Sequence, residues 1–160
     1  MKHLIAALSL CLTTVPALAH GPYSRTTISV AQADTLMEAA VKEAEARKVA
    51  LAIIIVDEAG DIVMSRRMDG ALPHSFAIAL RKAKTSALTR QPTKAVQDAF
   101  EKGSHTILAI EDMMPIQGGL PVKYNGKVIG AIAASGSPAA VDEAVVQAGV
   151  TALETHITSP

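Results

Sequence analysis

Four histidines, His20, His74, His105 and His156, lie downstream of an apolar leader, and three cations, Arg67, Lys82 and Lys84, lie near glycine-rich turns. These are the side chains whose types and spacing can do chemistry. No H-x-H or H-E-x-x-H spacing joins the histidines, so a dedicated zinc site is not expected. His74 follows Pro73 and precedes a helical pattern, and His105 follows Gly103 by two positions. Each is a candidate axial ligand to a haem iron. Taken alone, each also fits an exposed or capping histidine. His20, once exposed as a chain end, has the amine and ring that chelate copper. Arg67, Lys82 and Lys84 together can hold an acidic small molecule, haem propionates included, although scattered basic residues ordinarily belong to solvated faces.

The nucleophile and phosphate motifs are mostly missing. Ala134-Ser135-Gly136 lacks the leading glycine of a nucleophile elbow, and neither a P-loop nor G-x-G-x-x-G occurs. Gly118-Gly119 is a weak anion-nest signal. The Ser135-Gly136-Ser137 turn at a helix start can take a carboxylate or phosphate on its amides, or serve as a plain helix cap. The residues alone therefore reach as far as an α/β domain with an anion-friendly cleft.

The elements that must position these groups read as follows. Ser29 and Gln32 form a capping box, and Val30, Ala33, Leu36, Met37, Ala40, Val41 and Ala44 give one helical stripe. Ala50 to Val56 is an unbroken apolar run rich in β-branched residues, a buried strand. Asp57 to Asp61 supplies turn chemistry, and Ile62 to Met68 is the return strand, whose two arginines fit a sheet edge or the border of a pocket or partner. Ser75 is expected to cap a second helix with the stripe Phe76, Ala79, Leu80, Ala83 and Ala87 and a basic side of Arg81, Lys82 and Lys84. Thr93 is expected to cap a short third helix, closed by Gly103. A short strand is expected within Met113 to Ile116. Asn125-Gly126 between two apolar runs predicts a type I′ hairpin. Its second arm, Lys127 to Ser135, reads as a central strand covered on both faces. Ser137 can cap and Pro138 can open a last helix, running from about Ala139 to Thr155, with Val141, Ala144, Val145, Ala148 and Ala152 inward. Both strand pairs are hairpins, so a mostly antiparallel sheet with packed helices is expected.

Residues 1–19 are set aside before fold is considered. A short basic start, an apolar run to Ala19 and the small-residue motif Ala17-Leu18-Ala19 mark a secretory signal peptide. Residues 20–28 then form an N-terminal arm, and 29–156 the domain. The sole cysteine, Cys11, lies in the leader, so the mature chain has no thiol for disulfides, catalysis or metal. The export signal points to the periplasm or outside, and no membrane insertion is expected after cleavage. A net charge of +0 and 2% aromatic residues exclude a nucleic-acid partner on electrostatic and stacking grounds.

Several of these motifs occur together in one known family. Val56-Asp57-Glu58-Ala59-Gly60 followed by Arg67-Met68-Asp69-Gly70 resembles its first hairpin signature. Ala79 with Lys82-Ala83-Lys84-Thr85-Ser86 resembles its A-x-x-K-A-x-T-A helix. Gly118-Gly119-Leu120-Pro121-Val122, the Asn125 to Ala131 hairpin, Ser135-Gly136 and Asp142-Glu143 resemble its last block. On these residues, from about Thr27 to Leu153, the chain resembles the GlcG/HbpS-like family. That family includes haem-binding extracellular proteins, glycolate-operon proteins and the C-terminal domain of a corrinoid adenosyltransferase. Ala133-Ala134, where a glycine is common, and Ser137-Pro138 depart from the pattern at the expected cleft mouth. The resemblance implies an α/β (α+β), profilin-like fold with a five-stranded antiparallel sheet and helices on both faces. It also implies homo-oligomers and, in some members, haem binding linked to haem degradation or redox sensing. The expected ligand-binding set is His74, His105, Arg67, Lys82, Thr85, Gly118, Gly119, Ser135 and Gly136, with His74 or His105 on the iron. Two readings stand beside haem binding: an enzyme acting on a small acid or a tetrapyrrole through Arg67, Lys82 and Thr85, and a non-catalytic oligomeric accessory module.

Overall fold

The computed structural model describes residues 24–158; the signal peptide expected at 1–19 and His20 lie outside them. The chain runs α1 (Val30–Ala46), β1 (Ala52–Asp57), β2 (Ile62–Arg67), α2 (Ser75–Thr89), α3 (Thr93–Glu101), a 3-10 turn (Thr106–Ala109), β3 (Gly119–Tyr124), β4 (Lys127–Ser135) and α4 (Ala139–Thr158). The strands form one antiparallel sheet in the order β2-β1-β4-β3. Among the described residues the sheet has four strands, not the five expected.

Local chemistry explains most of the elements. Ser29 and Gln32 close the capping box in both directions. The stripe of α1 is buried from Ala33 to Ala44, whereas Val30 is exposed. Asp57 Oδ1 accepts the amides of Ala59 and Asp61, each at 2.9 Å, and so shapes the β1–β2 turn. Asn125 and Gly126 both have positive φ, 48° and 75°, as a type I′ turn requires. β4 pairs with β1 on one side and β3 on the other, and its residues from Ile129 on are buried.

The two faces of the sheet are covered differently. α1 and α4 bury Leu36, Met37, Val145, Val146 and Leu153 against Ile53, Ile55 and Ile132. α2 lies on the other face, where Ala79, Ala83 and Ala87 meet Ala52, Ile54, Ala131 and Ala133. Small residues on both partners let this helix approach the sheet closely. The inward residues of α4 are Val145, Val146 and Leu153, with Asp142 buried in its first turn. Val141 and Ala144 are only half-buried.

Met113 to Ile116 is irregular rather than a strand. Its amides are claimed locally or by side chains. Met114 N–H donates to Thr85 Oγ1 at 2.7 Å and Gln117 N–H to Gln97 Oε1 at 2.8 Å, and Pro115 has no N–H to offer a ladder. Two cap assignments also move. His74 occupies the cap position of α2 with no side-chain bond, leaving Ser75 as the first helical residue. Pro92 caps α3, because the Thr93 hydroxyl is engaged by Gly119.

Candidate functional site

The site residues expected from sequence divide into a closed cluster and scattered members. Lys82 is the centre of the cluster. It sits one face of α2 away from solvent, 2% exposed, and donates to the Ala134 carbonyl at 3.1 Å and to Asp142 Oδ2 at 2.8 Å. Asp142 Oδ1 in turn accepts the Ser137 amide at 3.0 Å. Burial pushes the Asp142 carboxyl above its usual range, against the lowering pull of Lys82 and the Ser137 amide.

The glycines belong to this cluster as packing devices. A Cβ on Gly118 would stand 2.8 Å from Lys82 Nζ and 2.9 Å from Asp142 Cβ, and its φ is +121°. A Cβ on Gly119 would meet the Lys82 carbonyl oxygen and Thr93 Cγ2, each at 2.9 Å. Thr93 Oγ1 accepts the Gly119 amide at 2.8 Å. The structure thus brings Lys82, Gly118, Gly119 and the Ser135–Ser137 turn together, but the space between them is filled. The anion position expected at the start of α4 is taken by Asp142, a carboxylate of the chain itself. α4 begins at Ala139, as expected, and runs to Thr158, with the Pro138 carbonyl accepting from Val141 and Asp142.

The other expected members lie apart. Thr85 is buried, donating to the Arg81 carbonyl and accepting the Met114 amide. Lys84 pairs with Asp112 at 2.6 Å. Arg67 is exposed on edge strand β2 and lines a shallow cavity of about 410 Å³ with Arg66, Glu45 and Asp69. His74 is exposed at the start of α2. His105 is exposed beyond α3, its ring edge-on to Phe100 at 4.8 Å. The set Arg67, Lys82 and Thr85 therefore does not converge on one open space. Among the described residues no three His, Cys, Asp or Glu side chains gather as a metal-binding group.

The open cleft lies at the opposite end of the sheet. It has a volume of about 530 Å³ and is walled by the arm at Ser24–Thr26, by Glu58 of the β1–β2 turn, by the end of α2 and by the β3–β4 hairpin. Four cations line it: Arg25, Arg90, Lys123 and Lys127. Arg25 Nε pairs with Glu58 Oε1 at 3.0 Å. Arg90, Lys123 and Lys127 have no carboxylate partner among the described residues. Glu58 Oε2 is buried and accepts no hydrogen bond. None of the nine expected site residues lines this cleft. The signal that marks it in the sequence is the presence of Lys123 and Lys127 on the two arms close to Asn125-Gly126, where the hairpin pairs Tyr124 with Lys127 and Lys123 with Val128. Arg90 adds to them from the left-handed residue that ends α2, φ 59°.

Three comparisons bear on this arrangement. The family model described as haem degrading protein HbpS-like matches residues 28–151. An uncharacterised 15.0 kDa protein of the dhaT-dhaS intergenic region of Citrobacter freundii is 34% identical over 125 residues, covering 76% of this chain and 88% of that protein. A double mutant of HbpS from Streptomyces reticuli superposes with a TM-score of 0.78 at 28% identity, over 87% of this chain and 97% of that one. A PduOC:haem complex superposes with a TM-score of 0.75 at 25% identity, over 79% and 94%. Motif order, fold and family model agree, and the chain belongs to the HbpS-like family.

Proposed function

We propose that this chain is an exported haem-binding protein. Its membership of the HbpS-like family carries the reading, and a relative of the same fold has been captured with haem. The chain's own residues fit the group in one respect. Haem carries two propionates, and the cleft presents an excess of cations in a volume within the ~300–1,000 Å³ that small-molecule sites span. When bound, haem supplies a redox-active iron. The chain supplies charge partners for its acidic edge at the cleft; His74 and His105 lie outside the cleft, so an imidazole from either would reach only a haem seated elsewhere on the chain. The leader at 1–19 supports action in the periplasm or outside. The exposed apolar residues Leu108 and Ile110 favour assembly with further copies of the chain.

Titration of the purified chain with hemin tests this. A saturable shift of the Soret band is expected; its loss in Lys123→Glu/Lys127→Glu seats haem in the cleft, and its loss in His74→Ala or His105→Ala seats it at that imidazole instead. A spectrum equal to free hemin at every ratio would overturn the reading. N-terminal sequencing of protein recovered from a periplasmic fraction should begin at His20; recovery with the leader attached in the cytoplasm would overturn export.

A further inference from the structure

We propose that the cleft between the arm, the β1–β2 turn, the end of α2 and the β3–β4 hairpin is a polycarboxylate-binding site, with Arg90, Lys123 and Lys127 as its principal charge partners. The inference rests on the haem reading only for the identity of the natural ligand.

Four observations carry it. The first is charge that the protein leaves uncompensated. Four cations line one cleft and only one carboxylate, Glu58, faces them. That carboxylate is already committed to Arg25, so three cations remain without a partner among the described residues. Like charges held in one concavity repel, and a protein gains nothing from gathering them unless an anion joins them.

The second is the backbone that gathers them. Lys123 and Lys127 come from the two arms of a hairpin whose turn type is set by Asn125-Gly126, one rung apart in the ladder (Lys123 opposite Val128, Tyr124 opposite Lys127), so both are held at the hairpin end that walls the cleft. Arg90 is carried by the left-handed residue that ends α2. These are three defined backbone positions rather than three free side chains on one exposed face.

The third is Glu58. Its Oε1 ties Arg25, and hence the arm, to the β1–β2 turn, while its Oε2 is buried in the wall with no donor. An acceptor left unsatisfied in a pocket wall calls for a donor from outside the chain. A ligand hydroxyl or a bound water meets that requirement, while the preference for several carboxylates over a single small anion comes from the three cations left without a partner among the described residues. Glu58 is a positioning residue here, acting through Arg25.

The fourth is the contrast with the other end of the sheet. There the glycine turns and the start of α4, which also look anion-friendly in sequence, are closed by Lys82 and Asp142. Arg90, Lys123 and Lys127 are exposed and have no carboxylate partner among the described residues.

The test uses benzenetricarboxylate, hemin and hemin dimethyl ester, titrated calorimetrically into the purified chain and into its Lys123→Glu/Lys127→Glu variant. Both lysines are exposed, so thermal unfolding of the variant should match the wild type. Benzenetricarboxylate should bind the wild type at least tenfold more tightly than the variant. Hemin should lose affinity by a similar factor, while the ester, which has no carboxylates, should bind both proteins equally. Failure of the wild type to bind benzenetricarboxylate, or equal binding by the variant, overturns the site. Hemin binding that is indifferent both to the reversal and to esterification seats haem elsewhere and overturns the cleft as its dock, leaving the haem reading intact. Tricarboxylate binding that the variant loses, with no hemin binding at all, upholds the site and removes the haem reading.

Discussion

Lys82 shows how far one side chain's environment can depart from its place in a pattern. It sits in a run with Arg81 and Lys84, yet it alone of the three is buried, because Asp142 and the Ala134 carbonyl receive its ammonium. A buried pair of this kind is weak evidence of net stability, but removing one partner strands the other charge. Lys82→Met should therefore cost about 3–5 kcal/mol in chemical denaturation, and adding Asp142→Leu should recover most of it. The pH dependence supplies a second readout. Burial raises the Asp142 carboxyl, and losing Lys82 removes the chief opposing influence. The folded variant then holds the Asp142 proton more tightly than the unfolded chain does. Its stability is greatest at acid pH and is lost as pH rises through the raised value, so its deficit against wild type should be smaller near pH 4 than near pH 7. A deficit that does not change with pH would contradict this account. Gly118 answers to the same cluster. An alanine there meets Lys82 Nζ and Asp142 Cβ under 3 Å at φ +121°, and Gly118→Ala should cost about 1–3 kcal/mol in the same measurement.

The segment from Ser104 to Gly118 is the element that depends most on distant partners. Arg81 reaches the Met113 carbonyl, Thr85 takes the Met114 amide, Gln97 takes the Gln117 amide, and Lys84 pairs with Asp112. The hydrogen bond from Lys84 holds the Asp112 carboxyl below its ordinary value of 3.8. The folded state then binds this proton more weakly than the unfolded one, so the contact contributes above that value and is lost as pH falls through the lowered one. Amide exchange at Met114 should be about two- to fivefold faster in Asp112→Asn than in wild type at neutral pH, the range of an exposed pair. The two proteins should converge as the pH falls well below 3.8. Equal exchange at neutral pH would show that the pair does not anchor the segment. The same wiring explains what the sequence shows and what it hides. The α1 capping box, the Asn125-Gly126 turn and β4 are legible because each is decided by residues within a few positions of one another. The Met113–Ile116 stretch looks like a strand because the partners of the Met114 amide and of the adjoining Gln117 amide, Thr85 and Gln97, lie 29 and 20 residues away. Thr93 looks like a cap because nothing local shows that Gly119 will claim its hydroxyl. The cleft is hidden for the same reason: its cations come from the arm, the end of α2 and the hairpin, and no window of sequence contains them all.

At the scale of the molecule, a net charge of +0 conceals a polar arrangement along the sheet. One end is closed around Lys82 and Asp142, and the other opens on four cations against one carboxylate. β4 joins them, running from Lys127 at the cleft to Ser135 at the cluster, a span of about 30 Å for its residues. Sites farther apart than ~10 Å with no shared partner act independently, so each end should be adjustable without the other. Gly118→Ala should lower the unfolding midpoint and leave the benzenetricarboxylate affinity unchanged, whereas Lys127→Glu should do the reverse. Salt separates them further. Screening shortens the reach of exposed charges from ~10 Å at 0.1 M salt to ~3 Å at 1 M and affects buried pairs much less. Wild-type affinity for the tricarboxylate should fall steeply as salt rises across that range. The slope should flatten in Lys123→Glu/Lys127→Glu, while the stability loss of Gly118→Ala stays constant. A salt slope that the double reversal leaves unaltered would mean that the ligand is held by something other than these cations, and the division of the sheet into a sealed end and a receiving end would fail with it.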